Sequence, residues 1–148
     1  MSELFAGREA MISDMQARLL RIAASEGVPL TARSHTYNSR LAQELGKWAE
    51  ASGLGDSFRR AVYHAYFVDG VNIAREEELV QIAVAAGLPA EEARQVLESR
   101  SHAPAVDADW ERAMELGITS VPTHLCNGRR LTGFAPYEDF VRLIGEGR

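Results

Sequence analysis

Few side chains in this sequence suit covalent chemistry, and Cys126 comes first because it is the only cysteine. One thiolate attacks a disulfide and a second thiol resolves the mixed product, so a single thiol cannot complete that cycle. A lone cysteine also cannot form an intrachain disulfide, a Cys-x-x-Cys pair or a Cys-based zinc site. His124 stands two residues away, and on a strand both side chains leave the same face. A reactive thiol needs an electropositive, partly exposed setting. The plainer reading is a small apolar side chain on a strand, since free Cys is among the most buried residue types. His35, His64 and His102 show no ligand spacing with carboxylates or with one another. Glu76-Glu77-Glu78 reads as a solvated first turn of a helix, where negative charge complements the dipole. No metal and no cofactor is expected.

The other segment able to do chemistry would do it with its backbone. Val121-Pro122-Thr123 leads into the short stretch Thr123 to Cys126, and Asn127-Gly128 then marks a tight hairpin. Arg129 to Thr132 is the return strand. A final helix begins near Pro136, with Tyr137, Phe140, Val141 and Ile144 on one face.

Everything before this hairpin reads as helix. Ile12, Met15, Leu19, Ile22 and Ala23 recur at helical spacing between about Arg8 and Glu26, with Gly27 as the stop. Val28 to Tyr37 is a loop or a short extended piece. Leu41, Leu45, Trp48, Ala49 and Ser52 form the next stripe, running into Gly53. Asp56 is placed to cap a third helix carrying Phe58, Ala61, Val62, Ala65 and Tyr66. Leu79, Ile82, Ala83 and Ala86 mark a fourth, and Ala93, Val96 and Leu97 a fifth that opens after Pro89. Val106, Trp110, Ala113 and Met114 mark a sixth, ending at Gly117. Trp48 and Trp110 are expected as core anchors. Tyr63 lies off its helix's stripe and is expected to be exposed, whereas Tyr66 and Phe67 are expected in the core.

Composition narrows the function classes. No apolar run approaches 18 residues, which excludes a transmembrane helix. The segment Met1 to Gly7 has neither the basic flank nor the apolar stretch of a secretory signal, so a cytoplasmic setting is expected. Net charge is −5 with no basic cluster, which argues against binding nucleic acid through its phosphates.

Four segments together carry a family resemblance. Tyr37-Asn38-Ser39-Arg40-Leu41-Ala42-Gln43-Glu44-Leu45 resembles the Asn-Thr-x-x-Ala-His-x-Leu helix start of the DsbA family, in its FrnE-like branch. Ala65-Tyr66-Phe67-Val68-Asp69-Gly70-Val71-Asn72-Ile73 resembles that branch's Ala-Tyr-Phe-x-x-Gly-x-x-Ile segment. The Ala113 to Pro122 stretch is similar to Ala-x-x-x-Gly-Val-x-Gly-Val-Pro, and the hairpin and last helix resemble the C-terminal half of a thioredoxin fold. The resemblance implies a truncated thioredoxin-like, DsbA-type fold: mainly α, with a helical insertion region over about 1–117 and a ββα half over about 118–148, in one domain. It implies a cis Val121-Pro122 bond and a substrate-binding role for Val121, Pro122 and Thr123, whose backbone would pair with an extended polypeptide as an added strand does. It also implies an aromatic substrate surface around Tyr37, Tyr63, Tyr66 and Phe67.

The departures are as informative. Gln43 stands where the family often has His, and Ser120 where it has Gly. The family's strand, Cys-x-x-Cys helix and second strand have no counterpart in the sequence. The resulting expectation is a thiol–disulfide oxidoreductase relative that carries the substrate side and is inactive alone, with protein or peptide thiols and disulfides as its partners. Two alternatives stay open: a non-catalytic interaction module, and a relative of the glutathione-dependent isomerases of aromatic carboxylates. An in-frame Cys-x-x-Cys segment upstream of Met1 would separate the first two readings. Strand Thr123 to Asn127, with nothing beside its outer edge, is expected to pair with its own copy in a homodimer.

Overall fold

The computed structural model describes residues 3–33 and 35–145, with side chains from Ile12 onward. The order is α1 (Glu3–Ser25), α2 (Arg40–Ala51), α3 (Gly55–Phe67), α4 (Glu76–Ala85), α5 (Ala90–Ser99), α6 (Ala103–Glu115), β1 (Thr123–Cys126), β2 (Arg129–Thr132) and α7 (Tyr137–Gly145). The architecture is mainly helical with a C-terminal antiparallel hairpin, as the periodicities predict. No helix among the described residues is long and apolar enough to cross a membrane. The chain divides into two compact units, the first running to Ala105 and the second from Val106.

In the first unit α2 packs on α3, α4 and α5, and α4 packs on α3 and α5. The stripes read from the sequence form the contact surface. Leu45, Trp48, Phe58, Leu79, Ile82 and Leu97 are buried at its centre. Helix ends follow local rules. At Gly87 (φ +93°) the Gly87 N–H donates to the Val84 carbonyl at 2.9 Å, and the Leu88 N–H donates to Ala83 at 2.9 Å. This pair of bonds satisfies two orphan carbonyls and drives Leu88 into the core. Gly117 (φ +63°) ends α6 in the same way, turning the chain toward β1.

α5 ends differently. Its C-cap is Arg100 in the left-handed region (φ 53°), where a non-glycine residue costs about 1–2 kcal/mol. The cost is offset by its side chain. Glu44 is buried with its carboxylate taken on both sides: Arg100 Nε donates to Oε2 and Nη2 to Oε1, both at 2.7 Å, and Arg40 Nε donates to Oε1 at 2.7 Å. Arg40 Nη2 also donates to the Ala103 carbonyl at 3.1 Å. One buried carboxylate thus ties α2 to the end of α5, and Arg40 extends the tie to the start of α6.

Three expectations need correction. Asp56 does not cap α3: the helix already begins at Gly55 after Leu54, and Asp56 lies in its first turn, 3.0 Å from Arg59 Nη1. Trp110 is not a core anchor but 56% exposed, and of its stripe only Val106 is fully buried. The second unit offers α6 just two short strands and one short helix, too little surface to cover a 13-residue helix. Apolar stripes also face outward at Ile12, Met15 and Leu19 of α1 and at Tyr137, Val141 and Ile144 of α7. In α7 the buried residue is Leu143, and Phe140 is half-buried.

The carboxylate yields a prediction with a defined pH window. The Arg100 hydrogen bonds, together with the one from Arg40, outweigh burial and hold Glu44 at about 2 instead of its ordinary 4.5. Its ionised form therefore contributes about 3 kcal/mol to folding above pH 4.5, lost progressively as pH falls toward 2. Glu44→Gln should cost about 3–5 kcal/mol in urea unfolding at neutral pH and flatten that acid dependence. Arg100→Gly should also destabilise, although glycine suits the left-handed cap better. Unchanged or increased stability of Arg100→Gly would show that the ion pair does not hold this helix end.

Candidate functional site

The second unit builds its site from the turn outward. Asn127 (φ 49°) and Gly128 (φ 77°) make a two-residue loop, so β1 and β2 pair as Cys126↔Arg129, Leu125↔Arg130, His124↔Leu131 and Thr123↔Thr132. In an antiparallel ladder alternate pairs exchange hydrogen bonds, beginning with the pair that flanks a two-residue loop. Cys126 and His124 therefore bond inward to β2, and Pro122 continues the series by accepting from the Gly133 N–H at 2.8 Å. Thr123 and Leu125 must then direct their N–H and C=O groups to the outer edge of β1. Among the described residues β1 has β2 as its one strand neighbour, and no partner is found for those backbone groups.

The approach to this edge is fixed by side chains. Arg130 donates from Nη1 to the Gly117 carbonyl at 2.8 Å and from Nη2 to the Leu116 carbonyl, capping the C-terminus of α6 with a cation. Thr123 Oγ1 donates to the Ser120 carbonyl at 2.7 Å, closing the loop that carries Val121 and Pro122. The Val121–Pro122 peptide bond is cis. Val121 itself is 87% exposed. Val121, Pro122 and Thr123 thus lie together at the start of the open edge.

On the opposite face of β1 the His124 ring, itself exposed, meets Phe140 of α7 edge-on, with centroids 4.8 Å apart. Cys126 shares that face and is half-buried, with no disulfide. Among the described residues no group of three His, Cys, Asp or Glu side chains could hold a metal. His64 does meet a carboxylate, Asp69 Oδ2 at 3.0 Å, but the pair is exposed and stands at the end of α3.

The first unit carries the aromatic surface expected there. Tyr63 is exposed and sits edge-on to Phe67, which in turn packs edge-on to Tyr66. Tyr66 is half-buried and packs against the core of the unit, and Phe67 is half-buried beside it. Arg33, from the loop after α1, lies 4.2 Å from the Tyr66 ring centroid and 4.6 Å from that of Phe67. Its Nη1 is buried without a hydrogen-bond partner among the described residues, so the ring faces are what receive that charge. The loop is tied down by the Thr31 N–H and Oγ1, which donate to the Phe67 and Val68 carbonyls at 2.9 and 2.8 Å. Arg33, Glu44, Arg100 and Arg130 are structurally decisive polar residues that sequence reading misses. The Arg40–Glu44 spacing of four is the one hint, and it points to Glu44 alone.

Comparison with known proteins fits these features. The chain is 30% identical over 107 residues to the ClpXP adapter protein SpxH of Halalkalibacterium halodurans, across 66% of this chain and 35% of that protein. The crystal structure of a probable DsbA oxidoreductase from Streptomyces coelicolor matches with a TM-score of 0.77 and 30% identity, over 90% of this chain and 57% of that one. The chain thus spans about a third of the curated relative and little more than half of the solved one. Residues 4–145 match the DSBA-like thioredoxin domain, and the chain belongs to that family.

Proposed function

We propose that this chain is the substrate-recognising part of a DsbA-like, FrnE-branch thiol–disulfide oxidoreductase fold. It receives an extended polypeptide along Val121, Pro122 and Thr123 and does not turn over disulfides by itself. The observation that carries this reading is the open edge of β1. The outward N–H and C=O groups of Thr123 and Leu125 offer a ladder, and exposed Val121 stands at its head. An added strand gains main-chain hydrogen bonds there, and the side chains on alternate positions select its sequence. The single thiol of this sequence, Cys126, supports the inactive part of the reading, because it has no second thiol here to resolve a mixed disulfide. A free, unpaired cysteine suits a reducing, cytoplasmic setting.

A second reading is favoured by the name of one relative. SpxH is described as an adapter, and an adapter binds another protein without chemistry on it. On that reading the same edge and aromatic surface present a client and no redox partner is needed.

Two measurements test the proposal. Titrating the labelled chain with a reduced, unfolded peptide should move the Val121, Thr123 and Leu125 amide resonances most. Shifts confined to the Tyr63 and Phe67 surface would move recognition to the helical unit and remove the edge from the account. In the insulin reduction assay with dithiothreitol, the chain should give the rate of the protein-free control. An acceleration abolished by Cys126→Ser would overturn the claim of inactivity.

A further inference from the structure

We propose that Arg130 is the positioning residue of the Val121–Pro122 loop, its guanidinium fixing where the chain leaves α6 and so how the loop meets an extended polypeptide. This deepens the proposed reading of Val121, Pro122 and Thr123 as the receiving segment and rests on it for what is received. Burial explains why the loop needs such a residue. Residues 118–122 form neither helix nor strand, and Ile118 alone among them is half-buried; Thr119, Ser120, Val121 and Pro122 are exposed. A segment with so little apolar packing keeps one conformation only where polar contacts tie it down. Two ties hold its far end. The Pro122 carbonyl accepts from the Gly133 N–H at 2.8 Å, and the Ser120 carbonyl accepts from Thr123 Oγ1 at 2.7 Å.

The near end is held by Arg130. Where α6 stops, the Leu116, Gly117 and Ile118 N–H groups donate to the Arg112, Met114 and Ala113 carbonyls at 3.1, 2.8 and 2.9 Å. That turn leaves the Leu116 and Gly117 carbonyls past the end of the helix, and Arg130 takes both. Its Nη1 donates to Gly117 at 2.8 Å and its Nη2 to Leu116. A Cβ on Gly117 would stand 3.6 Å from Nη2, so the guanidinium lies against the backbone of that glycine. The hairpin register aims the side chain. Arg130 stands opposite Leu125 in a non-hydrogen-bonded pair, on the face that also carries Thr123. One face of the hairpin therefore sends Arg130 to the start of the loop and Thr123 to its middle. Arginine suits the task because its planar fork reaches two neighbouring carbonyls at once, whereas a lysine is a single point charge. Its positive charge also complements the helix C-terminus.

Backbone relaxation of the nitrogen-labelled chain tests the placement without any ligand. In the unmodified chain the Ile118, Thr119, Ser120 and Val121 amides should have order parameters near about 0.8, as in rigid backbone. Arg130→Met keeps the apolar stem and removes the fork, and there the same amides should fall below about 0.6. The His124 and Cys126 amides should stay slow to exchange in that variant, which a residue that merely stabilised the hairpin would not allow. Arg130→Lys restores charge without the fork and should give intermediate order. A reduced, unfolded peptide should then bind Arg130→Met about tenfold more weakly at Val121 and Thr123, because the loop must be ordered on binding. An unchanged loop in Arg130→Met, or a loop already mobile in the unmodified chain, overturns the inference. So does protection lost at His124 and Cys126 in step with the loop in both variants. An ordered, Arg130-dependent loop whose amides ignore the peptide upholds the positioning role and removes the substrate reading. Equal peptide binding by Arg130→Met and the unmodified chain, with the loop ordered in both, removes the positioning role and leaves that reading standing.

Discussion

The buried carboxylate of Glu44 is the constraint on which the helical unit depends. An ionised group without solvent is tolerated only when charge and hydrogen bonds replace the water it has lost. Here Arg40 supplies one side from the same helix, and Arg100 arrives from 56 residues later with both of its bonds at 2.7 Å. The demand is strong enough to hold Arg100 in a left-handed conformation that glycine takes at other helix ends. It also decides where the chain leaves the unit, because Arg40 binds the Ala103 carbonyl at the start of α6. Apolar packing of α2, α3, α4 and α5 supplies the bulk of the stability, but it is not directional. The ion cluster is directional, and it fixes how α5 ends and α6 begins.

The second unit is organised by a different economy. Four-residue strands bury little, so its order comes from the Asn127-Gly128 turn and from side chains that cap backbone groups. Arg130 is central, since it spends its guanidinium on the last carbonyls of α6 and so links helix end to sheet. On one hairpin face the His124 ring meets Phe140 of α7, whose buried residue is Leu143. The outer edge is left with donors and acceptors that nothing among the described residues satisfies. The proposed function follows from that shortage, since an unpaired ladder can receive an extended backbone that reaches it.

Much of this was legible in the residues alone. The glycine stops, the 3.6-residue stripes of α2 to α5 and the hairpin turn are local signals, each set by a few neighbouring residues. Periodicity also identified the apolar faces of α6 and α7, but it cannot say whether anything covers them. Trp110 and Tyr137 are therefore exposed where the pattern alone suggested burial or left the matter unstated. The Glu44 cluster was illegible for another reason. Arg40 and Glu44 at a spacing of four look like any surface pair, and only the fold brings Arg100 to complete them. The loop residue Arg33 gave no signal either, since its partners Tyr66 and Phe67 are contacts across space.

The central claim is that the β1 edge is an open ladder awaiting an extended chain. Amide hydrogen exchange, residue by residue and at dilution, tests it most directly. His124 and Cys126 should exchange slowly in every condition, because their N–H groups bond to β2. Thr123 and Leu125 should exchange fast in the dilute free chain and become protected when an unfolded peptide is added. Slow exchange at Thr123 and Leu125 in the dilute free chain, or fast exchange that the peptide leaves unchanged, would contradict the account.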